Sequence, residues 1–151
     1  MQRRVILDRA ADWVAAWNRG DPRAAVEYVV DDVIWRDVAL ALPRQGRDSL
    51  AQLIESYVRA FPDLRVRATS ETVEGSRHVH EWTATGTHCG EFMGIPATGR
   101  PVMILGACFL TFDEDARVIE GAAYWNALAV LAQLGRAPGV LGGRTTSPAA
   151  V

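Results

Sequence analysis

The chain has 151 residues, 49% hydrophobic and 23% charged, which fits one globular domain that folds without a disulfide framework or a structural metal. Its net charge is −2, and its 16 basic residues are all Arg, spread from Arg3 to Arg144 without a basic stripe, which argues against a nucleic-acid partner. Asp8 and Asp12 interrupt the first apolar run, no signal-peptide pattern is present, and no run approaches the ~20 apolar residues that cross a bilayer, so the expectation is a cytoplasmic protein with no membrane partner.

Val5, Ile6, Ala10, Trp13, Val14 and Trp17 recur at three- and four-residue spacing, which predicts an amphipathic helix over Arg4–Arg19. Gly20 suits the left-handed position after it. Asp21-Pro22 opens a second helix as N-cap and first-turn proline, and the acidic pair Asp31–Asp32 ends it. Val33–Val38 is a short β-branched and aromatic run, hence a strand, followed by a loop. A third helix is predicted from about Asp48 to Ala60, with Leu50, Leu53, Ile54, Tyr57 and Val58 on one face and Pro62 preventing its continuation.

Leu64–Glu74 and Arg77–His88 alternate as strands. Pro101–Phe112 is nearly continuously apolar, as in a central strand covered on both sides. Asp113–Arg117 reads as a hairpin turn, Val118–Trp125 as a last strand, and Asn126–Gly135 as a short apolar helix. This order predicts an α+β fold: three N-terminal helices, a curved antiparallel sheet forming a cone with an apolar interior, and a short C-terminal helix. The domain is expected over residues 1–136, with 137–151 a flexible, Gly-, Ser- and Thr-rich tail.

No nucleotide-binding, zinc-protease, dithiol or nucleophile-elbow motif occurs. Cys89 and Cys108 fall about seven positions apart along adjacent strands, on the order of 25 Å, so both are expected as free thiols. His78, His80, Trp82, Ala84, Gly86 and His88 share one strand face. Roughly 30 Å of strand rise separates the first two His from His88, which argues against a three-His metal site. His78 and His80 are expected at a solvated strand end. Five Trp is a generous number, because each indole N–H wants a partner. Either plain packing or a pocket for a flat organic ligand would use them. The candidate lining is Trp17, Trp35, Arg36, Tyr57, Phe61, Trp82, Phe92, Met103 and Trp125. Asn126 has two readings, a helix N-cap or a polar group presented to an apolar cavity.

The segment "FPDLRV…WTATGTHCGEFMGIPATGRPV…FDEDARVIEGAAYWNALAVLAQLG" resembles the SnoaL-like polyketide cyclases of the nuclear transport factor 2-like superfamily. The resemblance extends over about residues 5–135. It is strongest in the Gly-Thr-His…Gly-Glu-Phe-x-Gly-Ile-Pro-x-Thr-Gly-Arg stretch and in the closing Gln-Leu-Gly. It implies a cone-shaped α+β barrel, usually oligomeric, with a deep apolar pocket and no metal or organic cofactor. It also implies closure of a ring of an aromatic polyketide, in antibiotic biosynthesis, by intramolecular aldol condensation with an acidic residue near the start of the terminal helix.

This chain departs from the family by placing Asn126 after Tyr124-Trp125, where Asp is usual. It also reads Trp35-Arg36-Asp37 where the family often has His before the Asp. A carbon acid needs a base, and an amide is not one. The base would then be Asp37, His88 or Glu120, or the reaction differs. One alternative is hydroxylation of an aromatic anion stabilised by His88 or Arg36, with a reductase as partner. Another is a non-catalytic binding module for a hydrophobic metabolite.

Overall fold

The computed structural model describes residues 3–40 and 42–136; the tail expected at 137–151 lies outside them. Helix α1 spans Arg3–Asn18 and buries Ile6, Ala10, Trp13 and Ala16, while Val5 of the predicted stripe is exposed. The chain leaves it through Gly20 at φ +66°. Asp21 caps α2, its carboxylate accepting from the Ala24 N–H at 3.0 Å, with Pro22 in the first turn. Helix α2 covers only Pro22–Val26, because Val29–Asp37 is already strand β1. The expected helix to Asp31 is thus too long. β-Branched Val29, Val30, Val33 and Ile34 favour the extended chain, and Asp31 and Asp32 sit exposed within it.

A two-residue strand β2, Arg44–Gln45, lies in the segment expected as loop, pairing antiparallel with β1. Helix α3 follows at Arg47–Ala60. The long strands are β3 (Arg65–Glu74), β4 (Arg77–Thr87), β5 (Pro101–Phe112) and β6 (Val118–Trp125), before helix α4 at Ala127–Gln133. They form one six-stranded sheet in the order β2-β1-β6-β5-β4-β3. Its pairs are antiparallel except β1 with β6, which run parallel, so the sheet is mixed. The sheet is curved and does not close. Register shifts at Ala68/Ser70 and Thr111/Phe112 mark local irregularities of the kind that bend and twist strands.

One sheet face meets the helices. Ile6, Ala10, Trp13, Leu50, Leu53 and Ile54 from α1 and α3 share a core with Cys108, Leu110, Phe112, Val118 and Ala123 from the sheet. The opposite face of β5 exposes Met103, Leu105 and Phe109, so the expected cover on both sides is present on one side only. A second core under α4 joins Val130 and Leu134 to Phe61, Ala84, Val102 and Ile104.

The conspicuous motifs turn out to be joints. Asp63 of Phe-Pro-Asp accepts from the Thr87 N–H and the Thr87 hydroxyl, each at 2.7 Å. Gly86 beside it leaves space that the Phe61 Cβ fills, 3.2 Å from where a Cβ would sit. Gln133 Oε1 accepts from the Met103 N–H at 2.7 Å and its Nε2 donates to the Met103 carbonyl at 3.0 Å. It takes over the edge of β5 where β6, last paired at Gly106↔Trp125, has ended.

Candidate active site

Between the helices and the inner face of the sheet lies an apolar cavity of about 110 Å³, open at one side. All five tryptophans of the chain, Trp13, Trp17, Trp35, Trp82 and Trp125, line it. Trp13 meets Trp35 edge-on at 5.3 Å between ring centroids, and Trp17 leans on Tyr57 at 6.1 Å. Across the sheet the residues Asp37, Ala123, Cys108 and His80 stand in register, one per strand from β1 through β6 and β5 to β4. All four line the cavity. Small Ala123 and Cys108 leave the middle of that row low. Gly121 and Gly106 do the same nearby: a Cβ at either would collide with the rings of Trp35 or Trp82.

The polar centre is Asp37. Trp125 Nε1 donates to its Oδ1 at 2.7 Å and the Tyr57 hydroxyl donates to its Oδ2 at 2.5 Å. Burial raises its pKa above the ordinary carboxylate value, and the bonds from Tyr57, Trp125 and the Ala39 backbone pull the other way without cancelling it. Burial, then the negative charge of Asp37, pushes the Tyr57 hydroxyl well above its usual value, so it remains a donor. Burial likewise raises the Cys108 thiol, which stays protonated and unreactive. Cys89 and Cys108 are both free, the first exposed and the second buried.

Of the residues singled out in the sequence, Trp17, Trp35, Asp37, Tyr57, Trp82 and Trp125 come together around the cavity. Phe92 and Phe61 stand behind them. Phe92 lies 5.6 Å from Tyr57 and 6.2 Å from Trp125, backing the two donors to Asp37, and Phe61 packs on Phe92 at 5.1 Å. Arg36 and Glu120 pair with each other at 2.7 Å beside a shallow polar depression lined by Phe109 and Thr111, on the sheet face away from the cavity. Their even–odd phase along β1 and β6 puts them opposite Trp35 and Gly121. Met103 is exposed on that same outer side of β5.

His88 is fully buried but outside the cavity lining. The Thr98 N–H donates to its Nδ1 at 3.2 Å, the Thr98 hydroxyl lies 3.0 Å from the same atom, and Phe61 packs against the ring at 5.5 Å. The imidazole thereby fastens the loop between β4 and β5, whose backbone docks on the end of α3 through Cys89 and Gly90 N–H bonds to the Ala60 carbonyl. Asn126 is exposed and caps α4, its Oδ1 accepting from the Ala129 N–H at 3.1 Å. Asn126→Ala is expected to cost about 1 kcal/mol of stability in denaturant unfolding through loss of that cap. Asn126→Asp, which keeps an accepting oxygen, should restore most of it.

His78 and His80 correct the sequence reading. Both are buried, not solvated; α1 packs against the neighbouring strand β3, and its Trp13 lines the same cavity as His80. The rings stack at 4.9 Å, and His78 Nε2 bonds Glu71 Oε2 at 2.9 Å. Burial first, and the neighbouring His78 second, lower the His80 pKa from 6.5 to about 4. His80 belongs to the cavity wall, as do Trp13, Leu64, Val66, Ala84 and Ile104. The signal for His80 was available: it shares strand phase with Trp82 and Ala84.

Among the described residues, no group of three or more His, Cys, Asp or Glu is placed to hold a metal ion. No helix among them is long and apolar enough to cross a membrane.

None of the curated protein sequences matches the chain. Solved structures do. AclR from Streptomyces galilaeus, proposed to be a hydroxylase, is 29% identical over 88% of this chain and 82% of its own, with a TM-score of 0.77. IdmH from Streptomyces antibioticus, proposed to be a polyketide cyclase, is 26% identical over 86% of this chain and 98% of its own, with a TM-score of 0.73. A proposed SnoaL-like polyketide cyclase from Jannaschia shares the fold, with a TM-score of 0.80 at 20% identity over 89% of this chain and 94% of its own. The family model for SnoaL-like polyketide cyclases matches residues 8–134, which takes in the whole cavity. With the fold, the hollow under the helices and that match in agreement, the chain belongs to the SnoaL-like polyketide cyclase family.

Proposed function

We propose that this protein is a polyketide-tailoring enzyme that closes a ring of an aromatic polyketide by intramolecular aldol chemistry, with Asp37 as the base. The observation that carries this reading is the one carboxylate in the cavity wall, buried and with its pKa raised, among a lining that is mostly Trp and aliphatic, with Tyr57, His80 and Cys108. Such a carboxylate is a stronger base than one in water, and Tyr57 and Trp125 fix its direction. Asp37 takes the proton from the carbon beside a ketone. The enolate carbon then bonds to a second carbonyl carbon, and the resulting alkoxide recovers the proton from Asp37. An apolar cavity of about 150 Å³ holds one benzene. At about 110 Å³ with an open side, this one is smaller than that, so it takes in part of the reacting ring while the remainder of a polycyclic substrate extends through the mouth.

Hydroxylation is the second reading. It is favoured by Asn126, which stands where the family's acid is usual and is committed to capping α4, and by the likeness to AclR. In that case one atom of O₂ enters the ring and the other leaves as water, with two electrons supplied by a reductase. A copy of the chain is the proposed partner in either case, since the outer sheet face exposes Met103, Leu105, Phe109 and Tyr124. Incubation with a cyclisable aromatic polyketide, followed by mass spectrometry, tests the choice. Aldol closure gives an isomer of the substrate without oxygen uptake. A product one oxygen heavier, formed only with reductase and O₂, replaces that reading with the second. Substrate recovered unchanged under both conditions leaves a binding module.

A further inference from the structure

Besides Asp37, the cavity wall carries one imidazole, that of His80, a group that can accept as well as donate a hydrogen bond. The two stand at opposite ends of the cross-strand row, with only Ala123 and Cys108 between them. Three strand spacings separate their backbones, about 14 Å along the sheet. Both side chains line the cavity, so they bracket the space that a guest would enter. The wall at the His80 end would be simpler to fill with Val or Leu. Instead it holds an imidazole whose Nδ1 is buried without a partner, as are His78 Nδ1, His88 Nε2 and Trp13 Nε1. What sets His80 apart from the other two histidines is that its ring lines the cavity, where it can meet a guest.

We propose that His80 is a second ligand-contacting residue, and that the cavity selects a ring bearing oxygen on two opposite edges, one oxygen held at Asp37 and the other at His80. This rests on reading the cavity as the seat of an aromatic substrate. His78 and Glu71 act as positioning residues. The His78 ring stacks on that of His80, and its bond to Glu71 at 2.9 Å holds the stack in one orientation. The titratable groups facing His80 are His78 on its own strand, Glu71 from β3, Cys108 from β5 and Asp37 from β1. From α1 the cavity receives Trp13, Val14 and Trp17, which carry no charge. With its pKa held near 4, His80 is neutral at pH 7 and can accept from a hydroxyl.

Quenching of tryptophan fluorescence reads ligand entry directly, because every Trp lines the cavity. The probes are 1,5-dihydroxynaphthalene, with hydroxyls on opposite edges, and 1-naphthol, with one. The wild-type protein is expected to bind the diol about tenfold more tightly, the worth of one additional buried hydrogen bond. His80→Phe should erase that preference while keeping the affinity for 1-naphthol, and His80→Gln should retain most of it. Equal affinities in the wild type, or a preference that survives His80→Phe, overturn the proposal while leaving the cavity's role intact. Absence of quenching by both probes overturns the cavity reading itself. Should His80→Phe not fold, the side-chain ¹⁵N resonance of His80 in the wild type decides. It should move on saturation with the diol and not with 1-naphthol; an unmoved resonance overturns the proposal.

Discussion

Asp37→Asn is expected to lower kcat for ring closure by a factor of about 10² to 10⁴, the usual range for loss of a positioned general base. The exchange is close to isosteric. The amide oxygen still accepts from Trp125 Nε1, and the amide nitrogen faces the Tyr57 hydroxyl, which can accept in turn. Removing a buried charge that burial already disfavours also means the variant should melt no lower than the wild type at pH 7. Loss of rate with preserved melting therefore isolates chemistry from folding. Activity within a few-fold of wild type, measured by single-turnover product formation, would remove Asp37 from the mechanism. Tyr57 provides an internal comparison: it positions the carboxylate without replacing it, so Tyr57→Phe should cost less than Asp37→Asn.

The second large effect is on stability against pH. His80 has a folded pKa near 4 against 6.5 for the unfolded chain. The unfolded state therefore binds the extra proton first, so this contribution is complete above about pH 6.5. It is lost as pH falls towards 4 and amounts to about 3 kcal/mol. Asp37 has the opposite sign. Its raised folded pKa favours the protonated fold, so its contribution shrinks as pH rises through that folded pKa, partly offsetting His80. Asp63 and Asp113, whose pKa values are lowered by bonds from Thr87 and Arg117, act only below about pH 4. Urea unfolding between pH 7 and 4 should show a decline in stability that steepens in Asp37→Asn and flattens in His80→Gln. An unchanged slope in His80→Gln would mean that another group takes up the proton.

The elements were legible where a local signal had no competitor. Asp21-Pro22, Gly20 and the alternation of Arg77–Thr87 read directly as cap, stop and strand. The start of β1 was not, because Asp31–Asp32 resembles a helix stop and the pairing of Val29 with Val118 of β6 joins segments far apart in the sequence. The motifs that revealed the family are mechanical parts. Phe-Pro-Asp grips Gly-Thr-His through Asp63 and Thr87, and Gln133 of Gln-Leu-Gly holds β5. Such residues identify a fold because they join segments distant in sequence, and they say little about what the hollow does. Asp37 and the Trp residues were visible as candidates by type. His80 shares the strand phase of Trp82 and Ala84, but nothing local tells that its end of the strand is buried.

Gly106 and Gly121 let the indoles of Trp82 and Trp35 lie close against bare backbone. The depth of the hollow is thus written in hydrogen atoms beneath the aromatic floor, independently of the carboxylate and imidazole in its wall. Descendants of this sequence can change which molecules they accept by exchanging a side chain on the underside of the hollow, with the reactive groups untouched.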